Sequence, residues 1–252
     1  MALDLTAQQD RAHDLRALHV APELLVLVNV WDVASAQVVA GMPGCRALAT
    51  ASAAVAAAYG VDDGERIPLE LHLAMVERIC GAVDLPVTVD LERGYGYVPA
   101  TVGAAIEAGA AGCNLEDDLC PTQEMVERVR DAVTAGQVRQ VPLVVNARTD
   151  VYLLGADRPE ADLLAEAVRR GRSYLAAGAD CVFVPGCTDE ASIAAMAAAF
   201  GPGRLSLLAV PGTPPPARLA ELGVARVSHG PYPQRHAMAA LADYSRERLG
   251  GG

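Results

Sequence analysis

The chain has 252 residues, 52% of them hydrophobic and 4% aromatic, and 31 Asp and Glu against 20 Lys and Arg leave a formal charge of −11. Such an apolar fraction excludes a disordered chain and supplies a large core, while the acidic balance argues against a nucleic-acid groove or an anionic membrane surface as partner. The N-terminus has neither a basic start nor an apolar stretch, and the longest apolar runs fall well short of the ~20 residues of a membrane helix. A cytoplasmic protein is therefore expected. The six cysteines form no Cys-x-x-Cys pair and read as reduced, mostly buried hydrophobes.

In chain order, a leading segment from Thr6 to Leu18 is expected as an extra helix below a barrel. A β-branched apolar run over Leu24–Val30 then precedes a helical stretch, Val33–Gly41. Arg46–Thr50 leads through a long turn to a helix near Pro68–Ala82, and Pro86–Asp90 to a helix over Ala100–Ala108. Cys113–Glu116 precedes Thr122–Ala135, Pro142–Arg148 precedes Glu160–Ala177, and Cys181–Pro185 precedes Glu190–Phe200. Leu205–Val210 leads to a short helix near Pro215–Leu222, and Val224–Ser228 to a last one over Gln234–Leu249. Continuous rather than alternating hydrophobicity marks strands buried on both faces, as in parallel sheets. Eight strand–helix units over 252 residues predict an α/β protein, one (β/α)8 TIM barrel spanning 1–252 as a single domain. Gly109 and Gly178, each just before the next strand, read as helix-ending glycines.

In such a barrel the C-terminal strand ends and the loops after them face one cavity. The polar residues there are Asn29, Trp31 and Asp32 after strand one, Thr50 and Ser52 after strand two with Asp62, Asp63 and Glu65 in its loop, and Asp90 and Glu92 after strand three. Glu116, Asp117 and Asp118 follow strand four, Asn146, Arg148 and Asp150 strand five, and Ser228 and His229 strand eight. Carboxylates crowded together need a cation to stay ionised, and an all-oxygen donor set suits Mg²⁺, or Mn²⁺, rather than zinc. Asp90 and Glu92, two apart, are expected on one side of a strand, with Glu116 approaching from the next. The planar fork of Arg148 suits a carboxylate or phosphonate. The implied partner is a small anionic substrate. Plainer roles stay open for several of these residues: Asp32 as a helix N-cap, Asp117 and Asp118 as first-turn carboxylates, Asp150 as a loop residue, Trp31 as packing, His229 as structural.

Six markers, Asn29-Val30-Trp31-Asp32, AAVAAAYGVDDGE (53–65), VDLERGYG (89–96), GCNLED (112–117), NARTD (146–150) and GADCVFVPG (178–186), stand in an order and spacing that resembles the isocitrate lyase / phosphoenolpyruvate mutase superfamily from about Leu15 to Gly230. The resemblance implies a (β/α)8 barrel that binds Mg²⁺ and cleaves C–C or P–C bonds of 2-oxo or 2-hydroxy acids through an enolpyruvate-like intermediate. It matches Asp90 to the principal metal aspartate, Glu92 to a position where a second aspartate is usual, and Glu116 to the glutamate of an (I/L)-E-D motif, which makes Asp90, Glu92 and Glu116 the expected metal ligands. Thr50, Ala51, Ser52 and Ala53 match the stretch that holds the substrate carboxylate, Asp63 the aspartate of a G-x-x-D motif, and Arg148 the substrate arginine. A homo-oligomer, dimer or tetramer, is implied as well.

The departures concern the proton donor. The lyases carry a Lys-Lys/Arg-Cys-Gly-His loop after strand four; here Glu116 runs through Asp117-Asp118-Leu119 to Cys120-Pro121-Thr122, and Cys120 is too close to Glu116 to take that role. The lysine- and asparagine-bearing gate of the phosphonopyruvate enzymes is missing too, and little chain follows Leu249 for a helix exchanged between subunits. The expected activity is a Mg²⁺-dependent C–C lyase, its proton supplied by water, Tyr59, Asp63 or His229, with Trp31, Asp32 and Asn146 beside the substrate. Phosphonopyruvate hydrolase or mutase chemistry and a non-catalytic 2-oxo-acid-binding barrel are the alternatives.

Overall fold

The computed structural model describes residues 4–155 and 157–250, and among them parallel strands form one nine-membered sheet. The first run is two strands, β1 (Leu25–Leu27) and β2 (Asn29–Val30), followed by α2 (Val33–Ala40); α1 (Leu5–His19) precedes them. Then come β3 (Leu48–Thr50), α3 (Ser52–Ala58), α4 (Leu69–Gly81), β4 (Val87–Asp90), α5 (Val98–Glu107), β5 (Gly112–Glu116) and α6 (Thr122–Val138). The second half holds β6 (Val144–Arg148), α7 (Val151–Leu154), α8 (Glu160–Ala176), β7 (Cys181–Val184) and α9 (Glu190–Phe200). It ends with β8 (Leu205–Leu208), α10 (Pro216–Glu221), β9 (Arg226–Ser228) and α11 (Tyr232–Leu249).

The sheet order runs β1-β9-β8-β7-β6-β5-β4-β3-β2. β1 and β2 are consecutive in the chain, parted only by Val28, and they pair with β9 and β3 respectively. The single run expected over Leu24–Val30 therefore divides its hydrogen bonds between two neighbours and joins the two edges of the sheet. Closing a barrel staggers the strands in this way. The eight expected strand runs are all present. Two short helices, α3 and α7, were not expected: α3 is nearly all alanine and offers no amphipathic signal, and α7 is a single turn.

Helix ends follow the glycines. Gly109 and Gly178 adopt φ +103° and +110°, and at each the next N–H reaches back to the helix, Ala110 to the Ala105 carbonyl and Ala179 to that of Tyr174. That is a Schellman close, which favours a residue without Cβ. α1 stoppers the N-terminal end of the barrel. Gln8 Nε2 donates to the Ala110 carbonyl at 2.6 Å, Arg16 pairs with Asp180 and donates to the Leu143 carbonyl, and Leu15 is fully buried against Gly112. Among the described residues, no helix is long and apolar enough to cross a membrane.

Candidate active site

At the C-terminal ends of the strands lies a cavity of about 290 Å³. One wall is polar: Asn29, Thr50, Ser52, Asp63, Asp90, Asn114, Arg148 and Ser228. Leu153, Phe183, Pro185 and Leu208 add apolar lining, and the start of α11 contributes Tyr232 and Arg235. Thr50, Ala51, Ser52 and Ala53 thus meet Asp63, Asp90 and Arg148 around one space.

Asp90 ends β4, and its Oδ2 accepts from both the backbone N and Oγ of Ser52, at 3.2 and 3.0 Å, at the first turn of α3. Thr50 Oγ1 accepts the Asp90 N–H across the β3–β4 pair. Glu92 departs from expectation. It lies beyond the strand with φ +51°, so strand alternation no longer sets its direction, and its carboxylate accepts from the Glu65 N–H and the Tyr95 hydroxyl instead of joining Asp90. Glu65, itself at φ +61°, accepts from the N–H groups of Arg93 and Tyr95, and Arg93 pairs with Glu65 and Asp118. The loops after β3, β4 and β5 are thereby tied together. Left-handed backbone in residues other than glycine is held only when surrounding contacts enforce it.

Glu116 and Arg148 end the paired strands β5 and β6. Arg148 Nη1 lies 2.6 Å from Glu116 Oε2, and its Nε donates to Asp150 Oδ1 at 2.6 Å. Asp117 is fully buried and accepts from the Tyr174 hydroxyl, Arg170 Nη1, and the N–H groups of Leu119 and Asp150. Asp117 is therefore a brace for the loop, and Asp150 a brace for Arg148. The carboxylates feel one another. Burial, then Asp63 and Asp90, push Glu92 up to about 7. Burial also pushes Glu116 up, opposed by Arg148 and reinforced by Asp90, Asp150 and Glu92.

The remaining expected residues sit as follows. Asp32 is the N-cap of α2, in a capping box with Ser35, and Trp31 packs against Val55, Ala56 and Ile67; neither lines the cavity. Tyr59 is exposed, with its hydroxyl donating to the Leu71 carbonyl. His229 turns Nδ1 to the Leu27 carbonyl, while its N–H is held by Asn29. Of the three side chains considered as proton sources, Asp63 alone lines the cavity. Asn146 is fully buried beneath it, donating to Asn114. Cys120 sits outside the cavity in a loop that gives way to α6 at Thr122. Asn114, Phe183, Leu208, Tyr232 and Arg235 were not foreseen; Asn114 could have been, since it stands two residues before Glu116 on one strand.

Among the described residues, no three His, Cys, Asp or Glu side chains stand together as a ready-made metal cage. The donor chemistry nevertheless fits a hard divalent ion: oxygen ligands only, with Glu92 and Glu116 raised first by burial and then by neighbouring carboxylates, a desolvation and repulsion that a cation relieves.

A parallel barrel whose mouth sets carboxylates and a half-buried arginine around one small cavity has the layout of a barrel enzyme, with the site at the C-terminal ends of its strands. The chain belongs to the family whose model is described as phosphoenolpyruvate phosphomutase, which matches residues 15–249, and it is an enzyme of the isocitrate lyase / phosphoenolpyruvate mutase type. It is 30% identical over 254 residues to an oxaloacetate decarboxylase of Ectopseudomonas mendocina, covering 96% of this chain and 87% of that one. A solved structure from Burkholderia cenocepacia with a provisional phosphonomutase name is 44% identical, with TM-score 0.89 and coverage of 97% and 100%. 2,3-Dimethylmalate lyase, a member of the superfamily, gives TM-score 0.84 at 28% identity, covering 95% and 87%. A phosphonopyruvate hydrolase in complex with oxalate and Mg²⁺ gives 0.80 at 26%, covering 96% and 88%.

Proposed function

We propose that the protein is a Mg²⁺-dependent lyase that cleaves a C–C bond of a small 2-oxo or 2-hydroxy carboxylate. The observation that carries this reading is the meeting of Asp90, Arg148 and the Thr50–Ala53 segment around one cavity of about 290 Å³, a volume suited to a molecule of this size. Asp90, at the cavity, would hold the ion, Mg²⁺ or Mn²⁺, with Glu116 and Glu92, whose carboxylate is turned to Glu65 and Tyr95, contributing through water. When bound, it supplies a Lewis acid for the oxygen that gains charge as the bond breaks.

The protein's own groups do the rest. Arg148, held on both sides by Glu116 and Asp150, grips one anionic end of the substrate; the Ala53 N–H in the first turn of α3, at the cavity, serves the other, while Ser52 holds Asp90. With a 2-oxo acid the bond's electron pair passes to the 2-oxo fragment as an enolate while the other carbon leaves as CO2 or a carbonyl product. With a 2-hydroxy acid the hydroxyl gives its proton to water or a carboxylate as it becomes the carbonyl, and the other fragment takes the electron pair. A proton then returns to the enolate carbon, from water or by way of Asp63 at the cavity. The apolar wall of Phe183, Pro185 and Leu208 excludes water from the reacting carbons. The bare side of α11, with Met238, Leu241 and Tyr244 exposed and no residue buried, supports a homo-oligomer.

Cleavage of a panel of 2-oxo and 2-hydroxy acids, oxaloacetate included, tests the reading. Turnover is expected to require Mg²⁺ or Mn²⁺, to cease with EDTA and to be lost in Asp90→Ala; turnover indifferent to both would refute it. P–C cleavage is the second reading, favoured by the 44% identical neighbour with a phosphonomutase name. Phosphate release or rearrangement of phosphonopyruvate decides for it.

A further inference from the structure

A polar layer fills the barrel between α1 and the cavity. Thr88, Asn146, Cys181, Ser206 and Arg226 each stand two residues before a cavity-lining residue of the same strand: Asp90, Arg148, Phe183, Leu208 and Ser228. The period of two turns them to the same inner face, where barrels ordinarily pack branched apolar side chains. Arg226 is fully buried and makes no ion pair among the described residues. Its Nη2 donates to Asn114 Oδ1 at 3.2 Å, and Asn146 Nδ2 donates to the same oxygen at 2.9 Å. Among the described residues, Arg226 Nε and Nη1 and Asn146 Oδ1 are buried without a partner.

This arrangement fixes which way the Asn114 amide faces. A guanidinium has only donors, so the Asn114 atom turned to Arg226 must be the oxygen, an assignment that an isolated amide would leave ambiguous. The nitrogen is then the other arm. It has no protein partner among the described residues and belongs to a side chain that lines the cavity. Asn146 is forced to turn its own nitrogen to Asn114, which strands its oxygen. Buried polar atoms left unpaired are destabilising, and an apolar layer would avoid that cost. What the layer provides is an N–H donor of fixed direction with a full positive charge behind it.

We infer that Asn114 Nδ2 donates a hydrogen bond to the substrate oxygen that becomes negative on bond cleavage, and that Arg226 and Asn146 are positioning residues that hold the amide in that sense. The inference rests on the reading of the cavity as a 2-oxo or 2-hydroxy carboxylate site. A preorganised donor aimed at developing charge contributes to the rate rather than to ground-state binding. Neither Arg226 nor Asn146 touches the substrate.

The test is calorimetric titration with oxalate, a planar dianion shaped like the enolate of pyruvate, in the presence of Mg²⁺, alongside thermal melting. Asn114→Asp keeps an oxygen for Arg226 and Asn146 but removes the donor. It is expected to melt at or above wild type and to bind oxalate at least about tenfold more weakly. Asn114→Ala is the second variant, with kcat on a cleaved 2-oxo acid lowered about 100-fold and KM within a few-fold of wild type. Arg226→Met releases the amide, so combining it with Asn114→Ala should weaken oxalate no further than Asn114→Ala alone. A folded Asn114→Asp that binds oxalate as wild type does overturns the role of Asn114 and leaves the functional reading standing. A wild-type protein that neither binds oxalate nor cleaves any 2-oxo acid overturns both.

Discussion

Removing Asp117 should cost the fold more than removing any other carboxylate near the cavity. Its side chain is fully buried and carries four contacts: the Tyr174 hydroxyl at 2.7 Å, Arg170 Nη1 at 3.1 Å, and the N–H groups of Leu119 and Asp150 at 3.0 Å. Breaking a buried ion pair from one side costs ~3–5 kcal/mol. Arg170 keeps Glu166 and the Cys120 carbonyl, which places its share at the low end of that range. The Tyr174 hydroxyl and the two orphaned N–H groups raise Asp117→Ala to about 4 kcal/mol, a fall in melting temperature of roughly 8–16 °C for a chain of this length. Asp117→Asn retains an oxygen for the two N–H groups and should lose about half as much. Differential scanning calorimetry at pH 7.5 measures both. An Asp117→Ala melt within about 2 °C of wild type, or an Asn variant no better than Ala, would show that Asp117 is not the brace between α8 and the two loops.

Three more expectations follow from the geometry. Burial, then the charge of Arg226, holds His19 down at about 4 against an ordinary 6.5; between those values the unfolded chain binds the proton and the folded one does not, so stability falls as pH drops through that window. The loss is about 2 kcal/mol by pH 5, set against the opposite contribution of the raised carboxyls Glu92 and Glu116. The change in urea midpoint from pH 7.5 to pH 5 should therefore be more favourable in His19→Leu than in wild type by the corresponding amount; the same change in both would refute the assignment. Gly94 has φ +97°, and an added Cβ would stand 2.6 Å from Val98 Cγ2, so Gly94→Ala should cost about 1–3 kcal/mol and weaken oxalate binding through Glu92 and Tyr95; a wild-type melt would sink this account of the loop. Light scattering should show a wild-type assembly larger than one chain, broken by Leu241→Asp with Met238→Asp; a monomeric wild type would remove the role given to α11.

The barrel was legible because its strands are continuous β-branched runs and its helices stop at glycines such as Gly109 and Gly178. The seam was not: nothing in Leu24–Val30 signals that Val28 parts two strands with different neighbours. The acids of the site were legible as polar residues at the ends of apolar runs, where an unused charge is costly. The direction of Glu92 was hidden because it depends on a left-handed backbone in a residue that rarely adopts one. Asp32 shows a different limit, since an N-cap and a mouth carboxylate look alike in sequence until Ser35 closes the capping box. Asn114 escaped notice because its meaning lies in Arg226, 112 residues further on and across the barrel.

The α1 stopper also sets a traffic rule for solvent. With the lower end covered by Leu15, Gln8 and Arg16, water reaching the Arg226 nitrogens that lack a partner among the described residues is expected to come through the mouth, the doorway proposed for the substrate. Occupation of that doorway then isolates the interior arginine from bulk exchange, so a ligand at the mouth governs the hydration of a charge it never touches.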